Sequence, residues 1–303
     1  MIRSIFTAAL IAAAIQIFTV GLLAPRLPRE VCRPGLESVE TFSFTRAPAL
    51  SIINKDGAVH VSVSDTLDTI EIDAKIRVYT NGAESISSAE SYVTSFFKIN
   101  ETADLLEIIT EPEPRPDFVD LRVDYTVNIP EGTDIALEVS NGNIWVGSGC
   151  NHVRVEGNNT DIEVMQPSGK TYLKTINGRI SALQCSEETI LETVNGSILT
   201  SLQGGTLQAS TITGSITATL LDDGVFGCDL TSLNGSITLF MSERHSAEVN
   251  ATTARGVIRA EVPLIPVGDE QRRREIHGIL GTGDTKVSAN SLNGDVLIQR
   301  SVT

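Results

Sequence analysis

The sequence predicts an all-β protein: a β-solenoid of single-stranded coils, β-helix-like, with about 18 to 21 residues per coil. A region of β-strands and an N-terminal transmembrane helix precede it. Three observations predict this fold: Asn-Gly units that recur at a fixed spacing, earlier runs of alternating apolar and polar residues, and an uncharged N-terminal segment. The predicted regions are 1–25, a transmembrane anchor or signal peptide; 26–47, a juxtamembrane linker; 48–130, the leading strands; and 131–303, the repeat solenoid.

The N-terminal segment is long enough to cross a bilayer. Between Arg3 and Arg26 lie 22 residues without a charge, and a transmembrane helix needs roughly 20 apolar residues. A cleaved signal peptide, the alternative, normally has an apolar region of only about 7 to 15 residues. Pro25 directly after Ala24 is also a poor context for cleavage. We therefore predict an uncleaved single-pass anchor.

The orientation of that anchor depends on two opposing signals. Arg26, Arg29 and Arg33 follow the apolar segment and only Arg3 precedes it, which by the positive-inside rule favours a cytoplasmic body. An apolar segment directly ahead of a β-rich body is, however, typical of export. We expect a membrane protein whose β-rich body is extracytoplasmic, in the periplasm or at the cell surface.

The leading region contains three runs that alternate apolar and polar side chains, at residues 58–63, 70–78 and 119–127. Strict alternation is the pattern of strands with one buried and one exposed face. The region is therefore predicted to consist of half-buried strands.

The repeat is the strongest signal in the second half. Anchor residues recur every 18 residues from 141 to 213, and the spacing then loosens to 21 and longer. The predicted structural ladder consists of Asn141, Asn159, Asn177, Asn195, Thr213, Asn234 and Asn293. The predicted corner glycines that follow these anchors are Gly142, Gly178, Gly196, Gly214, Gly235 and Gly294.

Each repeat unit predicts one coil. An apolar residue lies four positions before most anchors and a Thr or Ser often lies two before, so these positions share one face of a strand. The anchor Asn is then expected to point inward, and the next glycine to turn the chain through φ > 0. Coils would stack about 4.8 Å apart. An antiparallel sandwich with Asn-Gly hairpins is the alternative.

The run from Val123 to Ile144, followed by repeated Thr-x-Asn-Gly-x-Ile units, resembles a domain-of-unknown-function family labelled "putative adhesin". The resemblance covers about residues 50 to 300. It implies an exported or membrane-anchored β-solenoid after a leading set of strands, and surface binding without a named ligand. No catalytic residues are established for the family, so the resemblance implies none here.

The charge limits the classes of partner. Residues 34–303 carry 19 basic and 37 acidic side chains, a formal charge of −18. Such a body repels nucleic acid and anionic membrane surfaces. Neutral glycans, cations and proteins remain as ligands.

The sequence predicts no catalytic residue, no metal ligand and no cofactor, and it leaves the ligand-binding residues unknown. The four histidines are dispersed without metal-ligand spacing. The adjacent acidic pairs at 187–188 and 222–223 would point to opposite sides of a strand or into solvent. Trp145 is expected to pack in the core or at its rim rather than bind sugars. The four cysteines form no CxxC pair and are expected to be isolated small hydrophobes.

Together these features predict a non-enzymatic, adhesin-like, membrane-anchored binding or scaffold protein. Its expected partners are the membrane, through the N-terminal helix, and a surface glycan or protein. Self-association is a further expectation, since the ends of a solenoid expose strand edges. The alternatives are a self-polymerising β-helix scaffold and, after it, a polysaccharide-acting β-helix enzyme.

Overall fold

The structure is a computed structural model that describes residues 36–80, 97–110, 119–221, 226–267 and 274–301. The chain divides into two compact units, Met1–Arg33 and Pro34–Thr303, and every described residue belongs to the second. The predicted transmembrane segment lies outside the described residues. Within the described ranges, no helix is long and apolar enough to cross a membrane.

The described residues form 23 strands and no α-helix, so the all-β prediction is confirmed. The strands of the leading region and the first long coil are β1 (Leu36–Thr45), β2 (Ala49–Asp56), β3 (Val59–Ser64), β4 (Thr69–Thr80), β5 (Lys98–Glu101), β6 (Leu105–Thr110), β7 (Val119–Pro130) and β8 (Asp134–Val146). The coils that follow contain β9 (Val153–Met165), β10 (Thr171–Asn177), β11 (Ile180–Cys185), β12 (Thr189–Asn195), β13 (Ile198–Leu202), β14 (Gly205–Thr213), β15 (Ile216–Leu220), β16 (Phe226–Asn234) and β17 (Ile237–Met241). The last strands are β18 (Ala247–Thr253), β19 (Ile258–Ala260), β20 (Ile265–Pro266), β21 (Glu275–Leu280), β22 (Thr285–Ser291) and β23 (Val296–Arg300).

Each coil contributes two strands, one to each of two layers. The first layer runs β5, β6, β2, β8, β9, β10, β12, β14, β16, β22, β18, β21, β20. The second layer runs β1, β4, β7, β3, β8, β9, β11, β13, β15, β17, β23, β19. β8 and β9 belong to both layers because they continue through the corner. From β8 to β18 the coils pair in parallel, which overturns the antiparallel sandwich.

The coils near the C-terminal end do not stack in chain order. We name each coil by its anchor residue. The Asn293 coil, β22 and β23, pairs on one side with the Asn234 coil, β16 and β17. On the other side it pairs with β18 and β19, the coil in which Arg255 occupies the anchor position. The chain therefore leaves one coil position empty after β17 and fills it later. The longest interval between anchors, from Arg255 to Asn293, contains the additional strands β20 and β21.

Antiparallel strands end the first layer at both ends and the second layer at its N-terminal end, whereas the second layer stops at the C-terminal end with the short parallel strand β19. At the C-terminal end β21 pairs antiparallel with β18, and the short β20 pairs with β21. At the other end, β5 pairs antiparallel with β6, and β4 and β1 follow β7 in antiparallel order. An antiparallel strand does not continue the parallel repeat, so these strands end it.

The core lies between the two layers and consists of ladders of equivalent side chains. Positions four residues before the anchors are buried in every coil, at Leu137, Val155, Leu173, Leu191, Ala209 and Leu230. The aliphatic residue three positions after the anchor is buried in the six coils from Asn141 to Asn234, at Ile144, Ile162, Ile180, Ile198, Ile216 and Ile237. Equivalent side chains of neighbouring coils thus stack on one another in register, which is why a repeat of 18 residues can recur.

Two region boundaries differ from the sequence-based expectation. Residues 36–45, expected within the linker, form β1 and pair along their full length with β4. Phe42 and Phe44 pack against the core, which draws this segment into the second layer. The coil repeat also begins before residue 131, because β2 and β3 form a coil that pairs with β8 in parallel.

Candidate binding surface

The anchor side chains lie in one row along the outside of the corner, and hydrogen bonds join them in two groups, from Asp56 to Asn195 and from Asn234 to Asn293. The Nδ2 of Asn159, Asn177 and Asn195 donates to the Oδ1 of the anchor one coil earlier, at 2.7, 3.0 and 2.9 Å. Asn293 donates in the same way to Asn234 at 2.8 Å. Thr213 occupies the anchor position between these two groups. The row starts at Asp56, whose carboxylate accepts from Asn141 at 2.8 Å.

The expectation that the anchor Asn points inward is wrong. Asn159, Asn177, Asn195 and Asn234 are exposed, because the chain turns at the anchor and the alternation of the preceding strand ends there. The hydroxyl residues two positions earlier hold the inward place. Thr211 and Ser232, for example, each donate at 3.0 Å to the corner-glycine carbonyl of the preceding coil.

The corner glycines are required by the close approach of neighbouring coils, not by a common left-handed backbone. A Cβ on Gly196 would lie 1.8 Å from the carbonyl oxygen of Gly178. The same clash, at 1.9 to 2.2 Å from a backbone oxygen, holds at Gly142, Gly178, Gly214, Gly235 and Gly294. Of these six glycines only Gly214, at φ 153°, lies in the positive-φ region. The expectation of φ > 0 at every corner is therefore wrong.

One coil exchanges the two residue types. The Asn159 coil has Gly157 where the later coils have an inward Thr or Ser, and Thr160 where they have the corner glycine. Thr160 is buried and donates to the carbonyl of Val139 at 3.0 Å. A Cβ on Gly157 would lie 2.6 Å from the Cβ of Thr160, so the Thr160 side chain fills the place that the missing Thr leaves.

Replacing Asn195 by Asp tests the outer row. A carboxylate at 195 would face the Oδ1 of Asn177 without a proton to donate, so we expect a loss of about 1 to 2 kcal/mol in the free energy of unfolding at neutral pH. The facing oxygen raises the pKa of the new carboxyl in the folded state. The loss relative to wild type should therefore shrink as the pH falls through that pKa and the protonated acid donates again. Urea unfolding at several pH values measures it.

The matched control is Ser215→Asp, which adds the same charge at an exposed position two residues after the next anchor. An Asp at position 174 would be a poor control for added charge, because Lys174 pairs with Glu192 at 3.1 Å. The substitution would remove that ion pair and place a second carboxylate beside Glu192. Equal losses for Asn195→Asp and Ser215→Asp would show that the row contributes nothing.

A shallow apolar groove lies on the outer face of the first layer. Its volume is about 270 Å³, and residues of six strands line it: β2, β6, β8, β9, β10 and β12. The small side chains of Ala49 and Ala136 line one side of the groove, and the larger side chains of Tyr172 and Ile190 line the other. The Arg154 guanidinium lies 4.5 Å from the centre of the Tyr172 ring. Arg154 on β9 separates the two parts, since it pairs in register with Ala136 on one side and with Tyr172 on the other.

Charged side chains surround the groove in opposite-sign pairs. Lys170 pairs with Glu188 at 3.0 Å, and Arg154 pairs with Glu156. The hydrogen bond with Glu188 raises the pKa of Lys170. Partial burial raises the pKa of the Tyr172 hydroxyl, so this ring stays neutral. The surface thus combines an apolar floor with a charged rim, which suits a ligand that has both an apolar and a polar part.

The remaining candidate residues from the sequence do not converge. Trp145 is half-buried on the outer face of the second layer and stacks on His60, with ring centres 4.2 Å apart. Nδ1 of His152 accepts from the Lys170 amide, and Nδ1 of His245 from the Ser242 amide. The acidic pair at 222–223 lies outside the described residues. Within the part of the chain that the structure describes, no group of three or more His, Cys, Asp or Glu could hold a metal ion.

Three cysteines are free thiols in the core. Cys150, Cys185 and Cys228 are buried, and burial raises the pKa of all three thiols, to about 12 for Cys150 and about 11 for Cys185. We expect none of the three to react with a thiol reagent at pH 8 in the folded protein, since the thiolate is the reactive form. Mass spectrometry after brief labelling, with and without denaturant, measures this. Modification of Cys185 in the folded protein would contradict it.

The chain was compared with protein-family models, curated proteins and solved structures. A family model described as Toastrack DUF4097 matches residues 120–299, from β7 into β23. No curated protein matches the sequence. Similar solved structures include a "putative adhesin" from Bacteroides fragilis, at 10% identity over 87% of this chain and 97% of that one, with a TM-score of 0.44. Another "putative adhesin", from Parabacteroides distasonis, matches at 8% identity over 88% and 98%, with a TM-score of 0.36.

Proposed function

The chain belongs to the Toastrack DUF4097 family, and from that premise we propose that it is a non-enzymatic, adhesin-like binding or scaffold protein. The observation that carries the proposal is the register of the coils. Parallel pairing places equivalent outward side chains one strand spacing apart, about 4.8 Å, and inter-coil hydrogen bonds hold them there. A surface on such a frame is formed before its ligand arrives, which lowers the entropic cost of binding.

The groove around Tyr172 is the proposed ligand site. Its apolar floor buries the apolar part of a ligand, and the rim cations Arg154 and Lys170 offer hydrogen-bond donors. The formal charge of −18 over residues 34–303 disfavours nucleic acid and anionic membranes. A neutral surface glycan or a protein is therefore the proposed partner.

The proposed location is the outer side of a membrane, with the N-terminal segment as a single-pass anchor. The support is the run of 22 uncharged residues between Arg3 and Arg26. The mass of the N-terminal peptide of the mature protein tests it: Met1 to Ala24 should still be attached. A chain that begins after Ala24 would replace the anchor with a cleaved signal peptide.

End-to-end polymerisation is not favoured by the ends of the stack. β18 is covered by the antiparallel β21, and β20, next to it, contains Pro266. A short edge strand with a proline is a usual protection against edge pairing. At the other end the parallel coils give way to β5, β4 and β1. Among the described residues, the parallel edge left without a partner strand is that of β19, which has only three residues.

A binding screen on residues 34–303, which form one compact unit, tests the proposed function. Immobilised neutral glycans and extracellular matrix proteins are offered to wild type and to Tyr172→Ala, with Leu199→Ala on the other layer as the control. We expect at least one ligand to bind wild type and the control, and to bind Tyr172→Ala at least tenfold more weakly. Release of shorter saccharides from any glycan would instead support the enzyme alternative.

A further inference from the structure

A row of aliphatic side chains lies on the outside of the first layer, although the core does not use it. It occupies the position directly before each anchor, where the side chain points away from the interior. We call this row the aliphatic stripe; it consists of Ile176, Val194, Ile212, Leu233 and Leu292. The first four are half-buried and Leu292 is 46% exposed. None of the five belongs to the core or packs against it.

The stripe is continuous because its five coils are neighbours in space. The Asn177, Asn195, Thr213, Asn234 and Asn293 coils pair successively in the first layer. At a strand spacing of about 4.8 Å the stripe is about 19 Å long. The out-of-order insertion of the last coil is what adds Leu292 to it.

The middle of the stripe has uncharged flanks, which is unusual on so acidic a body. Beside Ile212 and Leu233, the strand side offers Ser210 and Thr231, and the corner side offers Thr213 and Asn234. Depletion of charge around an apolar centre is typical of protein interfaces. Two copies that each carry −18 repel one another least where they meet through such a surface.

The charges at the two ends of the stripe are complementary under a two-fold rotation. Arg179 follows the anchor at one end, and Asp295 follows the anchor at the other. Ile212 lies in the central coil. In an antiparallel pair with the two-fold axis across Ile212, Val194 faces Leu233 of the second copy. The same rotation places Arg179 of each copy over Asp295 of the other.

We propose that the aliphatic stripe binds a second copy of this chain, in an antiparallel, two-fold symmetric pair. The proposal rests on the binding function proposed above and supplies one partner for it: copies on facing surfaces, or side by side on one surface. A standard interface covers about 800 Å² per partner. Five partly buried side chains cover less, so the pair is weak and depends on local concentration.

Sedimentation of residues 34–303 over a range of concentrations tests the pairing. Wild type should shift from monomer to dimer as the concentration rises, and Leu233→Asp should weaken dimerisation at least tenfold. Leu199→Asp, at a 43% exposed leucine on the other layer, should dimerise like wild type. Circular dichroism establishes that each variant is folded. A monomer at every concentration, or equal weakening by both variants, would overturn the proposal.

Cross-linking tests the antiparallel arrangement with milder substitutions. Val194→Cys and Leu233→Cys proteins, both with Cys32→Ser, are mixed and treated with a short bis-maleimide. An antiparallel pair gives mostly links between the two different variants, whereas a parallel pair gives links within each variant. The glycan and matrix screen is scored separately on Leu233→Asp. A wild type that binds a ligand but stays monomeric would reject the stripe proposal alone, and the absence of any ligand binding by wild type would reject the proposed function.

Discussion

Replacing Gly196 by Ala is expected to destabilise the protein by about 3 kcal/mol or more, since overpacking already costs about 1 to 3 kcal/mol where side chains can adjust. The new Cβ would lie 1.8 Å from the carbonyl oxygen of Gly178. That oxygen belongs to the backbone of the neighbouring coil and cannot rotate away. Thr193 adds to the constraint, because its hydroxyl donates to the same oxygen at 3.2 Å. Relief therefore requires that two coils move apart.

Gly204→Ala is the matched control for this prediction. Gly204 lies in the turn at the opposite side of the coil, its φ is not positive, and the nearest atom to an added Cβ is 3.5 Å away. We expect a change within about 1 kcal/mol there, of either sign. Urea unfolding of both variants measures the difference. Equal stability of the two would show that the coils do not approach as closely as the structure has them.

Leu191→Ala is expected to cost about 2 to 5 kcal/mol, the range of large-to-small substitutions in a packed core. Leu191 is 0% exposed and pairs in register with Leu173 below and Ala209 above. The neighbouring coils are held by their own hydrogen bonds, so the cavity cannot collapse freely. Ala209 is already small, which leaves still fewer side chains to fill the space.

Leu199→Ala is the control, since it removes the same atoms from a side chain that is 43% exposed. We expect a loss below about 1 kcal/mol, as for most surface substitutions. Thermal and urea unfolding of the pair test the assignment of inward and outward faces. A larger loss at Leu199 than at Leu191 would mean that the strand faces are reversed.

The regular part of the solenoid could be predicted from the sequence because its pattern is local. Each coil carries its own apolar residue four positions before the anchor and its own Gly or Thr at the corner, so the spacing of 18 residues directly gives the register. Residues 49–64 were not recognised as a coil. The signal was present: Asp56-Gly57 stands where later coils have Asn-Gly, and Asp56 starts the outer hydrogen-bonded row.

Other features depend on long-range contacts that spacing does not encode. The Asn293 coil inserts beside the Asn234 coil only because β18 lies one position further along. Alternation along the strand predicts an inward anchor Asn, but the strand ends at the corner, and the anchor side chain therefore points outward. The groove around Tyr172 joins strands as distant as β2 and β12, so only the three-dimensional stacking brings its lining together.

Parallel coils, stacked out of chain order near the C-terminal end, form the frame that presents the outer surface. Two double-cysteine variants test it most directly, both with Cys32→Ser: Asn234→Cys with Asn293→Cys, and Asn234→Cys with Arg255→Cys. Asn293 and Asn234 are in hydrogen-bond contact at 2.8 Å, whereas Arg255 is one coil further away. A disulfide needs Cα atoms within about 7 Å. We expect a rapid intramolecular disulfide in the first variant and none in the second. A disulfide only in the second would show that the coils stack in chain order.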